Sequence, residues 1–234
     1  MPVPATPTRR TIAAVAVFVA LSVVHLGALI GGLQPLADGT KPFLMPLLAV
    51  AVLCAGVLRF GRRAWLLLAA LALSCVGDVA LLSDSNTAFV IGLSSFLLVH
   101  LAYIVLFAGA SGAGRPRFWG LFYVAWLVVL LLVLVPHLDA LLVPVIGYGF
   151  VIAGMAIAAT RCAPKVTVGA TLFLLSDSLL AINRFVPDAN LWQPGFLIML
   201  TYIAGQALIA WGLVESWRAH ASQLPTPNFG KVSP

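Results

Sequence analysis

Between Thr11 and Ile30 the chain runs for 20 residues without an Asp, Glu, Lys or Arg, and further apolar runs of similar character recur along its whole length. At about 1.5 Å of rise per residue, such a run matches the roughly 30 Å hydrocarbon core of a bilayer. Breaks marked by charge, proline or glycine set the runs at about 11–30, 43–58, 64–82, 87–108, 118–135, 142–160, 166–184 and 195–216. Inside lipid every backbone N–H and C=O must find its partner within the chain, and no alternating strand pattern is present. The fold predicted is therefore all-α: a polytopic membrane protein with eight transmembrane helices. Composition matters here for one exclusion. With 62% hydrophobic and 9% charged residues, nothing is left from which to build a sizeable water-soluble domain. The expected organisation is a tail at 1–10, a membrane domain at 11–217 and a second tail at 218–234. The basic start resembles a signal peptide, but the length of the first run and the lack of an A-x-A-type end predict a retained span.

The charges sort by side. Arg9, Arg10, Arg59, Arg62, Arg63, Arg115, Arg117, Arg161, Lys165, Arg218 and Lys231 fall on one face, and only Lys41 and Arg184 on the other. That division of 11 against 2 predicts a multi-pass protein of the cell membrane with both termini cytoplasmic. Asp38, Asp84, Asp139 and Asp188 lie on the face poor in positive charge, which agrees. The net charge of +6 thus reads as membrane topology, and nucleic acid is not expected as a partner. Cys54, Cys75 and Cys162 lie in or beside apolar runs without C-x-x-C spacing, so they read as core filler. His25, His100, His137 and His220 fall at different depths, and neither a metal nor a cofactor is expected. The bilayer is the expected partner, with no obligatory protein partner evident.

Two aspartates interrupt the apolar runs. "CVGDVALL" places Asp78 on the third helix and "LLSDSLLA" places Asp177 on the seventh, each after a small residue, a likeness that leaves a fourfold-plus-fourfold repeat open beside convergence on a small–Asp–apolar pattern in lipid. An ionised, unpaired carboxylate costs several kcal/mol in lipid, so each must be neutral, paired or in a wet cavity. A buried structural pair sharing one proton is the competing reading. Asp78 lies six residues from Asp84, and Asp177 seven from Arg184. Both carboxylates are then about 10 Å below the same surface. Lys41 in "GTKPFLMP" is expected at the outer mouth, where the second helix begins, and Arg184 shares a helical face with Asp177. Two cations above two acids describe a cavity that opens outward, with a rim suited to a phosphate and a floor suited to proton transfer. Snorkelling interface anchors are the alternative for Lys41 and Arg184.

Helices four and eight add His100 and Tyr103 at i, i+3 and Tyr202 and Gln206 at i, i+4. Each reads either as a site group or as an interhelical hydrogen-bonding group. Ser176 and Asn183, on the helix of Asp177, complete the expected substrate-binding set.

"TKPFLMPLLA", "GDVALL", "FLLVHLAYIVLF", "GATLFLLSDSLLAINRF" and "YIAGQALI" occur in the order and spacing of the YhhN-like membrane proteins, the lysoplasmalogenase family, which the chain resembles over roughly residues 40–215. The resemblance implies cleavage of the vinyl ether bond of a lysoplasmalogen or related lysophospholipid, giving a fatty aldehyde and a glycerophospho-alcohol. That chemistry starts with protonation of the β-carbon, after which water captures the oxocarbenium ion and the hemiacetal collapses. It needs one carboxylic acid and one carboxylate, roles that two aspartates in a low-dielectric cavity can divide. Asp78 as base and Asp177 as acid is the favoured order, though the residues leave the assignment open. Other classes fit less well. The G-x-G-D pattern of intramembrane aspartyl proteases is absent, since position 75 is Cys75, and no G-x-S-x-G occurs to support a serine hydrolase. A proton-coupled lipid or small-molecule transporter would use the same aspartates as relays, but would call for broken helices in matched positions of both halves.

Overall fold

The computed structural model describes residues 8–109 and 115–223; Lys231 and the outermost parts of the two expected tails lie outside the described residues. Among the described residues there are eight helices long and apolar enough to cross a membrane. Their α-helical parts are α1 (Arg9–Ile30), α2 (Gln34–Cys54), α3 (Arg62–Ala80), α4 (Asn86–Ala108), α5 (Leu121–Leu134), α6 (Leu142–Ala159), α7 (Pro164–Phe185) and α8 (Pro194–Gln223), the fifth and sixth spans reaching Phe118–His137 and Asp139–Ala159 through flanking 3-10 turns. Short connections make neighbours in sequence antiparallel, and side chains cap two of the entries: Thr8 accepts from the Thr11 amide at α1, and Ser85 from the Ala88 amide at α4.

The second helix departs from its expected bounds. It starts at Gln34 rather than near residue 43 and carries Pro42 and Pro46 inside it. Pro35 falls in the first turn, where a missing N–H is no loss. Pro46 cannot donate to the Pro42 carbonyl one turn back, and the Cys75 thiol of α3 approaches that carbonyl at 3.3 Å instead. Cys75 is thus more than core filler, because it replaces a bond that the helix cannot make. The longer α2 also lowers Lys41, which lies seven residues inside the helix rather than at its mouth. Elsewhere α5 is shortened by 3-10 turns at Phe118–Gly120 and Val135–His137, the second holding Pro136, and α8 continues past residue 217 to Gln223.

Close approach between helices uses glycine where two backbones meet. A Cβ on Gly169 of α7 would stand 2.8 Å from the Gly205 carbonyl of α8, and one on Gly205 would stand 2.9 Å from the Gly169 carbonyl. Backbone cannot step aside, so this pair sets the α7–α8 spacing, as small residues do between membrane helices. On α3, a Cβ at Gly77 would be 2.6 Å from the Phe96 ring of α4. The small residue before Asp78 therefore admits an aromatic ring beside the carboxylate. Phe96, Phe173, Tyr202 and His100 continue that cluster with edge-on contacts between 4.7 and 6.0 Å. The outward faces are apolar, as expected of a lipid-facing surface: Val129 and Leu132 of α5 are 62% and 73% exposed.

Candidate active site

The polar residues of the bundle converge because their spacing places them on facing stripes. Ser74 and Asp78 are one turn apart on α3, as are Tyr202 and Gln206 on α8. The two stripes meet as rungs. The Tyr202 hydroxyl donates to Asp78 Oδ2 at 2.8 Å, and Gln206 Nε2 donates to Ser74 Oγ at 2.8 Å. Tyr103 of α4 adds a third member by donating to Gln206 Oε1.

Asp177 on α7 is held differently. Tyr148 of α6 donates its hydroxyl to Asp177 Oδ2. His100 Nε2 of α4 lies 3.2 Å from that same oxygen and 2.8 Å from the Tyr148 hydroxyl. His100 is fully buried and its Nδ1 has no protein partner among the described residues. With the ring hydrogen assigned to Nε2 from this network, the unpartnered atom is an acceptor rather than a stranded donor.

The carboxylates of α3 and α7 border one cavity of about 360 Å³ between α2, α3, α4, α7 and α8, with Lys41, Asn183, Arg184, Ser176 and Tyr202 among its other walls. Asp78 is 2% exposed, while the Asp177 side chain is 13% exposed. Lys41 makes no hydrogen bond or ion pair among the described residues. Its neighbours explain its direction. Thr40 faces α1, where its hydroxyl meets His25 Nδ1 at 2.9 Å, and the Pro42 carbonyl faces Cys75 of α3, so Lys41 between them is turned to the cavity. Arg184 is already engaged: Nη2 donates to Asn86 Oδ1 at 2.9 Å, and its guanidinium stands 4.5 Å from the centre of the Phe89 ring.

Of the residues singled out in the sequence, Asp78, Asp177, Lys41, Arg184, Asn183, Ser176 and Tyr202 border the cavity. The Ser176 hydroxyl donates to the Ile198 carbonyl at 3.0 Å, which ties α7 to α8. His100 stands behind Asp177, and Tyr103 and Gln206 belong to the buried rungs, away from the cavity wall. Tyr148, which meets Asp177, is not marked in the sequence. Its only signal is a hydroxyl-bearing side chain in the glycine-flanked run "VIGYGF", which says nothing about a partner on another helix.

The YhhN family pattern matches residues 36–213. The chain belongs to the YhhN family. The YhhN region takes in every cavity residue named above and excludes α1. The chain is 34% identical over 170 residues to the lysoplasmalogenase TMEM86B of Mus musculus, covering 70% of each protein. To the human lysoplasmalogenase TMEM86B it is 36% identical over 160 residues, 67% of this chain and 66% of that protein. A lysoplasmalogenase of Mycobacterium tuberculosis is 36% identical over 197 residues, 80% of this chain and 73% of the relative. No solved structure matches the chain significantly.

Proposed function

We propose that this YhhN-family membrane protein is a lysoplasmalogenase that hydrolyses the vinyl ether bond of a lysolipid with Asp78 and Asp177 as its acid and base. The observation that carries the reading is the pair of carboxylates from α3 and α7 bordering one cavity of about 360 Å³ together with Lys41 and Arg184. One aspartic acid gives its proton to the β-carbon of the enol ether, leaving an oxocarbenium ion. The other carboxylate takes a proton from the water that adds to the adjacent carbon. The hemiacetal then collapses, and its hydroxyl proton passes to the departing glycerol oxygen by way of the aspartates, which returns both to their starting states. The products are a fatty aldehyde and a glycerophospho-alcohol.

The hydrogen bonds favour Asp177 as base and Asp78 as acid, the reverse of the order favoured from the sequence. Asp177 Oδ2 faces two donors, the Tyr148 hydroxyl and His100 Nε2, whereas Asp78 faces Tyr202 alone. Asp177 is also the more accessible to water. Lys41 and Arg184 meet the phosphate, and His100, with Tyr148, orients Asp177 from behind.

Purified protein in single turnover with vinyl ether lysolipids is expected to release aldehyde, and the matching saturated alkyl ethers are expected to release none, since they offer no carbon to protonate. Absence of aldehyde across headgroups would sink the hydrolase reading and leave the transporter alternative standing.

By the positive-inside rule, both termini are cytoplasmic and the cavity opens on the opposite face. A reporter fused after Pro234 is expected to read cytoplasmic, and an extracytoplasmic signal would overturn the orientation.

A further inference from the structure

A second, narrower cavity adjoins the first and shares Asp177, Phe89 and Phe96 with it. It is a slot of about 50 Å³ between α4, α5, α6 and α7, walled by residues that include Leu127, Leu130 and Leu134 of α5, Val145 and Gly149 of α6, and Ala181 of α7. The polar atoms on its wall are already engaged. The Trp126 indole N–H donates to Ser178 Oγ at 3.0 Å, Ser178 Oγ donates to the Leu174 carbonyl at 2.7 Å, and the Tyr148 hydroxyl donates to Asp177. Beyond Asp177 the slot offers an occupant nothing but hydrocarbon surface. Its stripe on α7 runs from Leu174 to Phe185, which is roughly 16 Å at the rise of an α-helix.

We propose that this slot seats the part of the lysolipid hydrocarbon chain next to the vinyl ether, so that Asp177 stands at the point where a polar cavity passes into an apolar one. The inference rests on the hydrolase reading for the identity of the chain. A vinyl ether joins a polar glycerol to an apolar chain, and the boundary between the cavities has the same polarity change at the same place. A free phosphate or a soluble metabolite has no apolar segment to fill the slot, and an unrelated bilayer lipid has no reason to end at a carboxylate.

Gly149 sets the width of the slot. A Cβ there would come within 2.8 Å of Leu127 Cδ1, the far end of a flexible side chain, so Gly149→Ala crowds the slot wall at Leu127 without displacing backbone. Ala181→Phe fills it from α7.

The test has two arms. In the first, kcat/KM is measured for vinyl ether lysolipids of one headgroup and increasing chain length. The wild-type value is expected to climb about fourfold per methylene while the slot fills. In Gly149→Ala and Ala181→Phe the climb is expected to stop at a shorter chain, lowering the long-chain value by about tenfold or more, because two excluded methylenes already cost that much. Identical chain-length profiles in wild type and both variants would overturn the proposal. The second arm uses a saturated alkyl lysolipid with a photoactivatable diazirine close to its ether oxygen and wild-type protein in the dark and in light. Label is expected on the slot-lining segments of α5, α6 and α7; label confined to α1, α2 or α8, or none at all, would overturn the proposal. The probe is not hydrolysed, so a protein that releases no aldehyde yet labels in the slot refutes the hydrolase and retains the chain subsite.

Discussion

Asp177→Asn and Asp78→Asn should each lower aldehyde release by about 10²- to 10⁴-fold, the range that general acid–base groups supply. Asparagine keeps the shape and an acceptor oxygen, so the Tyr202 hydroxyl that bonds Asp78 and the Tyr148 hydroxyl that bonds Asp177 retain a partner in the variants. Folding and detergent extraction should therefore change little. What is lost is the carboxylic proton at one site and the proton acceptor at the other. Since both act in one reaction, removing either disables it, and the double variant should be no slower than the worse single one. Near-wild-type turnover in either single variant, measured on monodisperse protein, would end the paired mechanism. Two multiplicative defects would mean that the aspartates contribute independently of each other rather than as one acid–base pair.

Lys41→Met should raise KM and lower kcat/KM by about 10- to 100-fold for phosphate-bearing substrates, the worth of a hydrogen bond between charged groups. Of the two cations at the cavity, Lys41 is the one with no hydrogen bond or ion pair among the described residues, and it borders the cavity with Asp78. Arg184→Met should do less to KM. Its guanidinium is committed to Asn86 and stacks on Phe89, so part of its work is to hold the end of α7 against the start of α4. A vinyl ether substrate without the phosphate separates the roles. On it, Lys41→Met should match wild type, whereas a purely structural lysine would show the same defect on both substrates. Unchanged kinetics on the phosphate substrate would leave Lys41 as an interface anchor.

The number of spans and the two intramembrane aspartates were legible in the linear chain, for a physical reason. The bilayer requires long apolar runs, and a carboxylate inside one stands out against them wherever the run packs. Depth along the helices likewise grouped Asp78, Asp177, Lys41 and Arg184 toward one face of the membrane. Helix bounds were less secure. Pro42 and Pro46 ordinarily end a helix, and past Pro46 α2 continues with a thiol from another helix in the place of the missing amide. No reading of α2 alone contains Cys75.

The same limit governed the choice between site and scaffold. His100, Tyr103 and Gln206 are equally polar in an apolar run, yet His100 stands beside Asp177 while Tyr103 and Gln206 close a rung with Ser74. Tyr148 had no partner within reach on its own helix. Hydropathy and helical period report which residues share a stripe, which is a property of one helix. Which stripes face each other depends on how the helices pack, and here glycines such as Gly169 and Gly205, by letting two backbones touch, help to decide it. Hydrogen bonds between residues as distant as His100 and Asp177, 77 positions apart, exist only once that packing has formed.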